Sequence, residues 1–254
     1  MSLRAFDGGR LFGRLHGRLP ARVLALHGWA RSGADFDAVL EGLDAVALDL
    51  PGFGATPEPP DAWGSARYAA AVARALPEIG ERLVVIGHSF GGRVALHLAA
   101  ADPERVTGLV LTGVPLYRRV GGRTSPLYRV GRALHRVGVL GEGHMERLRQ
   151  RYGSADYRAA SQTMRGVLVK VVNESYDEQL AAVRCPVRLV WGADDEPAPA
   201  ESARRAAQAL GEQAGLRVLP GHGHFLVRSA PGELRAAIDG LLATTEPTGA
   251  TARG

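Results

Sequence analysis

At 254 residues, 46% hydrophobic and 22% charged, the chain fits one large domain or one domain carrying an insertion, and it has no apolar run of membrane-span length. Its net charge of +5 would suit a nucleic-acid binder, but Lys170 is the single lysine, the arginines are scattered, and no recognition helix or aromatic stacking motif accompanies them, which argues against nucleic acid. The lone Cys185 excludes an intramolecular disulfide, and no cluster of Cys and His has zinc spacing.

The first residues, Met1-Ser2-Leu3-Arg4-Ala5-Phe6, carry no apolar signal core, so the expected location is cytoplasmic. Residues 3–17 predict a hairpin turning at Asp7-Gly8-Gly9. Residues 22–26 predict a short apolar strand, followed by the glycine-marked loop His27-Gly28-Trp29-Ala30-Arg31-Ser32-Gly33. A helix is expected over 35–43 and a strand over 44–50, ended by Pro51-Gly52-Phe53-Gly54. After a loop at 57–60, residues 65–80 predict an alanine-rich helix with Ser65 as its N-cap. A strand over 83–86, a helix over 93–100 stopped by Asp102-Pro103, and a strand over 105–112 follow. From 115 to 183 the pattern is helical with no clear strand. Cys185, before Pro186 and a strand over 186–191, reads as a small buried hydrophobe. A helix near 201–210, a strand over 216–219 and a helix over 231–242 complete the series, and the polar tail 244–254 reads as frayed.

Strands alternating with helices specify right-handed βαβ units and a mostly parallel sheet. Residues 1–114 and 184–243 would form that core. Residues 115–183 would be a helical cap inserted over the sheet's carboxyl edge, where open α/β sheets bind ligands.

The apolar run Leu83-Val84-Val85-Ile86 leads into Gly87-His88-Ser89-Phe90-Gly91-Gly92, and helix-forming residues follow at once. This strand–turn–helix setting distinguishes a nucleophile elbow from a chance Gly-x-Ser-x-Gly. Ser89 would sit at the tip of a strained turn, flanked by Gly87 and Gly91 because a Cβ at either would strike the neighbouring strand or helix. The turn would lift the hydroxyl clear of the sheet, place a helix start beneath it and aim the Phe90 amide at an oxyanion. The plainer alternative is a β–α turn whose serine only caps the helix. A serine nucleophile needs a general base, and the base needs an orienting carboxylate. The chain order for this turn is serine, acid, histidine. The sequence supplies Gly192-Ala193-Asp194-Asp195-Glu196-Pro197 and then Gly221-His222-Gly223-His224-Phe225, each after an apolar strand.

These pieces, with His27-Gly28-Trp29 and Asp49-Leu50-Pro51-Gly52-Phe53-Gly54, resemble the α/β-hydrolase superfamily in its lid-bearing group of serine esterases. The resemblance spans roughly residues 10–243, and the cap is its least typical part. It implies an α/β fold with a mostly parallel central sheet flanked by helices. In the family the acid lies three residues beyond the strand-ending glycine, which implies Asp195, with Asp194 as the alternative. The base is the histidine of a Gly-His-Phe-like segment, which implies His224, with His222 as the alternative. The second oxyanion donor would be the Trp29 amide. No metal and no cofactor are implied. A serine at position 89 argues against the family's dehalogenases and epoxide hydrolases, which use a carboxylate nucleophile.

His27 reads as fixing its loop and His88 as structural; both, with Gly28, also stand as substrate-binding candidates. Met164 and Leu168 lie at helical spacing, as cap core or as the wall of an acyl site. Arg118, Arg119, Arg123, Arg129, Arg132 and Arg136 crowd one part of the cap. They would either receive an anionic substrate or an acidic carrier protein, or be solvated arginines on an amphipathic helix. The expected function is a serine hydrolase cleaving small or medium carboxylic esters. The alternatives are a C–C bond hydrolase or lyase using the same three residues, and a non-catalytic ligand-binding protein. The segment Gly91-Gly92-Arg93 is similar to that of the menaquinone-pathway synthase, a lyase of this superfamily.

Overall fold

The computed structural model describes residues 1–117, 133–152 and 154–245. Arg118, Arg119, Arg123, Arg129, Arg132 and tail residues 246–254 lie outside the described residues. The sheet comprises β1 (Ser2–Phe6), β2 (Leu11–His16), β3 (Val23–Leu26), β4 (Ala45–Asp49), β5 (Leu83–His88), β6 (Val106–Thr112), β7 (Val187–Gly192) and β8 (Ala214–Leu219). Their spatial order is β1-β2-β4-β3-β5-β6-β7-β8. β1 and β2 form the expected hairpin, and β2 continues antiparallel onto β4. All pairs from β4 to β8 are parallel, giving the α/β-hydrolase fold that the motifs implied. The chain steps from β3 outward to β4, then returns to the other side of β3 with β5. That reversal is a topological switch point, the place in an open α/β sheet where ligands bind. The loops after β3 and β5 both leave from it.

Side chains of β3, β4 and β5 alternate between two buried layers, because neighbouring residues of a strand point to opposite faces. Leu24, Leu26, Val46, Leu48 and Val85 pack on one side with α1 (Ser65–Ile79) and α2 (Phe90–Ala101). Val23, Ala25, Ala45, Ala47, Val84 and Ile86 pack on the other with α9 (Pro231–Thr245). Each fully buried Val, Leu or Ile contributes about 1.5–3 kcal/mol, so the loops at these strand ends stand on a rigid floor.

Between β6 and β7 the described residues form α3 (Glu142–Tyr152), α4 (Ala155–Ala159), α5 (Gln162–Val171) and α6 (Asp177–Ala182). Met164, Val167 and Val171 of α5 enter the same buried layer as α1 and α2. Two polar ties reinforce that packing. Arg93 on α2 donates to the carbonyls of Val171 at 2.6 Å and Pro115 at 3.1 Å. Glu174 accepts from the Ser65 amide at 3.0 Å and from the Tyr176 hydroxyl at 2.7 Å. α7 (Ala200–Leu210) precedes β8, and the short α8 (Leu226–Ser229) precedes α9.

Three local expectations are corrected. Residues 35–43 are not a helix: a 3-10 turn over Gly33–Phe36 gives way to further turns. The apolar residues Phe36, Val39 and Leu40 span a single turn, too short to propagate a helix, and Gly42 at φ +73° ends it. Ser65 is the first residue of α1 rather than its cap. Gly64 holds the cap position, and the Glu174 carboxylate supplies the missing acceptor. Thr244 and Thr245 extend the last helix into the expected tail. Cys185 is buried as expected, and burial pushes its thiol up to about 11.

Candidate active site

Ser89 sits between the end of β5 and the start of α2 with φ 51° and ψ −112°, a left-handed conformation that a non-glycine residue holds only under strain. Its amide donates to the Thr112 carbonyl at 3.0 Å, and its carbonyl accepts from Gly92 at 3.1 Å. The flanking glycines are required by contact. A Cβ on Gly87 would lie 2.5 Å from the Gly92 Cα, and one on Gly91 would run into the main chain of Leu26 and His27.

The loops after β7 and β8 are tied together beside this turn. Ala193 donates to the Leu219 carbonyl and Asp194 to the His222 carbonyl, both at 2.9 Å. A Cβ on Gly192 would strike the carbonyls of His222 and Gly223. Trp191, fully buried, donates from its indole to the Ala198 carbonyl at 2.7 Å and pins the loop that carries Asp195.

His224 Nε2 lies 3.1 Å from the Ser89 hydroxyl, and His224 Nδ1 lies 2.9 Å from each carboxylate oxygen of Asp195. An ionised carboxylate only accepts, so Nδ1 carries the proton and Nε2 is left to accept from the serine. Asp195 is buried and also accepts from the Ala198 amide at 2.7 Å. Asp194 is exposed, and the His222 ring turns to the Ser229 hydroxyl at 3.0 Å. The structure therefore brings Asp195 and His224, not Asp194 and His222, to Ser89.

The loop after β3 passes against the serine: a Cβ on Gly28 would lie 3.4 Å from the Ser89 Cβ. Among the described residues, neither the Trp29 nor the Phe90 amide donates to a protein acceptor. Their rings are 5.6 Å apart, edge to face, and Phe53 lies 5.0 Å from Trp29. His27 is fully buried; Nδ1 donates to the Gly28 carbonyl at 2.7 Å and Nε2 accepts from the Leu50 amide at 2.9 Å. Burial lowers its pKa and keeps the ring neutral, which suits that pairing. Asp49 fixes the adjoining turn by accepting from Gly33 at 2.7 Å and Ala55 at 2.8 Å.

His88 Nε2 donates to the His224 carbonyl at 3.0 Å, and burial lowers the His88 pKa to about 4. Met164 is buried with its sulfur 3.9 Å from the Tyr68 hydroxyl, and Tyr68 packs 4.9 Å from Phe90. A Cβ on Gly52 would collide with the Met164 side chain, so this α5 residue reaches the turn beside the Trp29 loop. Leu168, one helical turn on, is half-buried against the same layer. Arg136, the described member of the expected arginine cluster, is exposed.

Two neighbours of the site have no role in the sequence reading, although Phe225 is named there as part of the Gly-His-Phe-like segment. Gly113, at φ +59°, would bring a Cβ to 3.1 Å from His224 and 3.2 Å from Asp195. Its signal was a glycine ending a predicted strand at the same sheet edge. Phe225 is 47% exposed beside His224, their rings 5.2 Å apart. Among the described residues no group of three or more His, Cys, Asp and Glu is arranged to hold a metal, and no helix is long and apolar enough to cross a membrane.

Comparison with known proteins follows the same lines. The model of the alpha/beta hydrolase family matches residues 23–237. An uncharacterised protein of Mycobacterium tuberculosis is 25% identical over 97% of this chain and 82% of its own length. A pimeloyl-[acyl-carrier protein] methyl ester esterase of Chromobacterium violaceum is 28% identical over 74% of this chain and 81% of its own. The crystal structure of a hydrolase from Pseudomonas aeruginosa superposes with a TM-score of 0.70 at 22% identity, covering 95% of this chain and 97% of that one.

Proposed function

Since the chain belongs to the alpha/beta hydrolase family, we propose that it is a serine hydrolase that cleaves carboxylic esters of small or medium acyl groups. One observation carries this reading: the unbroken relay from Asp195 to His224 Nδ1 and from His224 Nε2 to Ser89 Oγ, at 2.9 and 3.1 Å.

Ser89 attacks the ester carbonyl while His224 Nε2 takes its proton. Asp195 holds the imidazole in the required tautomer and stabilises its charged form. The amides of Trp29 and Phe90 receive the oxyanion; losing one such donor typically costs about 3 kcal/mol of transition-state stabilisation. His224 then protonates the departing alcohol, and water, activated by the same ring, hydrolyses the acyl-enzyme. His27, Gly28 and His88 hold the loops. The helices between β6 and β7 form the cap, through which Met164 and Leu168 shape the acyl side.

The ester class is favoured by the esterase named among the relatives. The C–C hydrolase or lyase reading uses the same three residues, and its one further feature is the similarity of Gly91-Gly92-Arg93 to the menaquinone-pathway synthase, a triplet that plain esterases also carry. The Arg93 guanidinium is buried and donates to two main-chain carbonyls, so it offers that reading no substrate contact.

The test is labelling with a fluorophosphonate probe beside turnover of 4-nitrophenyl acyl esters and of vinylogous diketones. Labelling and ester turnover, both lost in Ser89→Ala, are expected. Diketone turnover without ester turnover would move the assignment to C–C cleavage. A folded wild type that neither labels nor turns over would leave a binding protein.

A further inference from the structure

The leaving-group side of the site can be located from the chemistry. His224 Nε2 must hand its proton to the departing oxygen, so that group leaves along the His224 side of Ser89. Phe225 stands there, half-exposed, its ring 5.2 Å from that of His224 and 5.6 Å from that of His88. The Arg31 guanidinium lies 5.7 Å from the Phe225 centroid. Arg31 comes two residues after Trp29, and Arg228 sits on α8 three residues after Phe225.

These two arginines share one carboxylate. Arg31 donates from Nε to Asp35 at 2.6 Å, and Arg228 from Nη2 to the same residue at 2.9 Å. The Asp35 side chain is 6% exposed, whereas those of Arg31 and Arg228 are 27% and 63% exposed. The trio thus keeps one positive charge in excess, and the covered carboxylate holds both guanidinium groups in place. Among the described residues, Nη1 of each arginine has no protein acceptor. A planar guanidinium with free donors over a half-exposed aromatic ring suits a ring or chain that ends in an anion.

We propose that Arg31, Arg228 and Phe225 form a leaving-group subsite, and that the ester substrate carries an anion, carboxylate or phosphate, on its alcohol side. The inference rests on the serine-hydrolase reading, because that reading fixes which side the alcohol leaves from. It is independent of the expected arginine cluster at 118–136.

The test uses phenyl butyrates whose phenol ring bears hydrogen, carboxylate or phosphate at the meta position. At low salt the better anionic ester is expected to exceed the neutral one in kcat/KM by about tenfold, chiefly through KM, and added salt should erode that preference. Arg228→Gln should reduce the anionic-to-neutral ratio at least about fivefold, and Arg228→Lys should restore part of it. Which anionic ester is preferred identifies the anion. Binding of phenyl phosphate, 3-hydroxybenzoate and phenol to Ser89→Ala by calorimetry provides a readout free of turnover. Turnover with no anion preference, or a ratio indifferent to Arg228→Gln, would overturn the subsite and leave the hydrolase standing. Absence of any turnover would overturn the hydrolase reading, and calorimetry would then judge the anion site: neither anion binding more tightly than phenol would overturn it too.

Discussion

His88 donates from Nε2 to the main-chain carbonyl of His224 across 3.0 Å, so the residue before the elbow serine holds the backbone of the histidine that faces that serine. The two rings lie 4.9 Å apart. On the proposed function, His88 is thus a positioning residue. His88→Ala should lower kcat on an ester by about 10- to 100-fold with little change in KM, because a small displacement of a proton acceptor is costly. His88→Gln, whose amide can still donate, should retain more. Steady-state kinetics beside circular dichroism check this; wild-type kcat in His88→Ala would remove the role.

The same burial sets a pH dependence. Desolvation takes His88 to about 4 and also lowers His27, from an ordinary value of 6.5. Between those values the unfolded chain binds protons that the folded one refuses. Stability therefore rises with pH across this window and falls as pH drops from about 6.5 toward 4. Urea unfolding between pH 7 and 4.5 should show that loss, and His88→Gln should flatten it. An equal slope in the variant would assign the loss to other groups.

Gly113 offers a test of close packing. Its φ of +59° and the 3.1 Å approach to His224 leave no ordinary space for a methyl group. Gly113→Ala is expected to cost about 1–2 kcal/mol in stability from the left-handed backbone. It should also push the imidazole off the serine, cutting kcat more than tenfold. Thermal unfolding and ester kinetics on one preparation separate the two effects. Full activity in a folded variant would mean the ring has room to yield.

What the sequence revealed and what it hid divide along a physical line. Leu83 to Ile86 with Gly87 and Gly91 announced the strand–turn–helix at Ser89 because strand propensity, turn chemistry and helix start are all local. The parallel sheet followed from alternation alone. Resemblance alone favours Asp195 over Asp194 in the sequence; the burial that sets it apart comes from the folded loop, through Ala198 and Trp191. Ser65 misled for a different reason: its local pattern fits an N-cap, but Glu174 arrives from the loop between α5 and α6, 109 residues on, to serve that end of α1. Gly113 and the Arg31–Asp35–Arg228 trio join segments distant in the chain, and no periodicity records such meetings.

The choice between two adjacent aspartates gives the sharpest prediction. Asp195 faces His224 Nδ1 with both oxygens, whereas Asp194 is exposed and meets the loop after β8 through its backbone amide, which donates to the His222 carbonyl. In Asp195→Asn the new amide can donate toward Nδ1, which favours the tautomer with its proton on Nε2. That nitrogen then cannot accept from Ser89, though the geometry is nearly kept. A fall in kcat on the order of a thousandfold or more is expected. Asp194→Asn should stay within about twofold, as a surface change away from the relay. Ester turnover by both variants, with Ser89→Ala as the floor, measures the contrast. Activity surviving in Asp195→Asn and lost in Asp194→Asn would reassign the acid and break the relay on which the hydrolase reading stands.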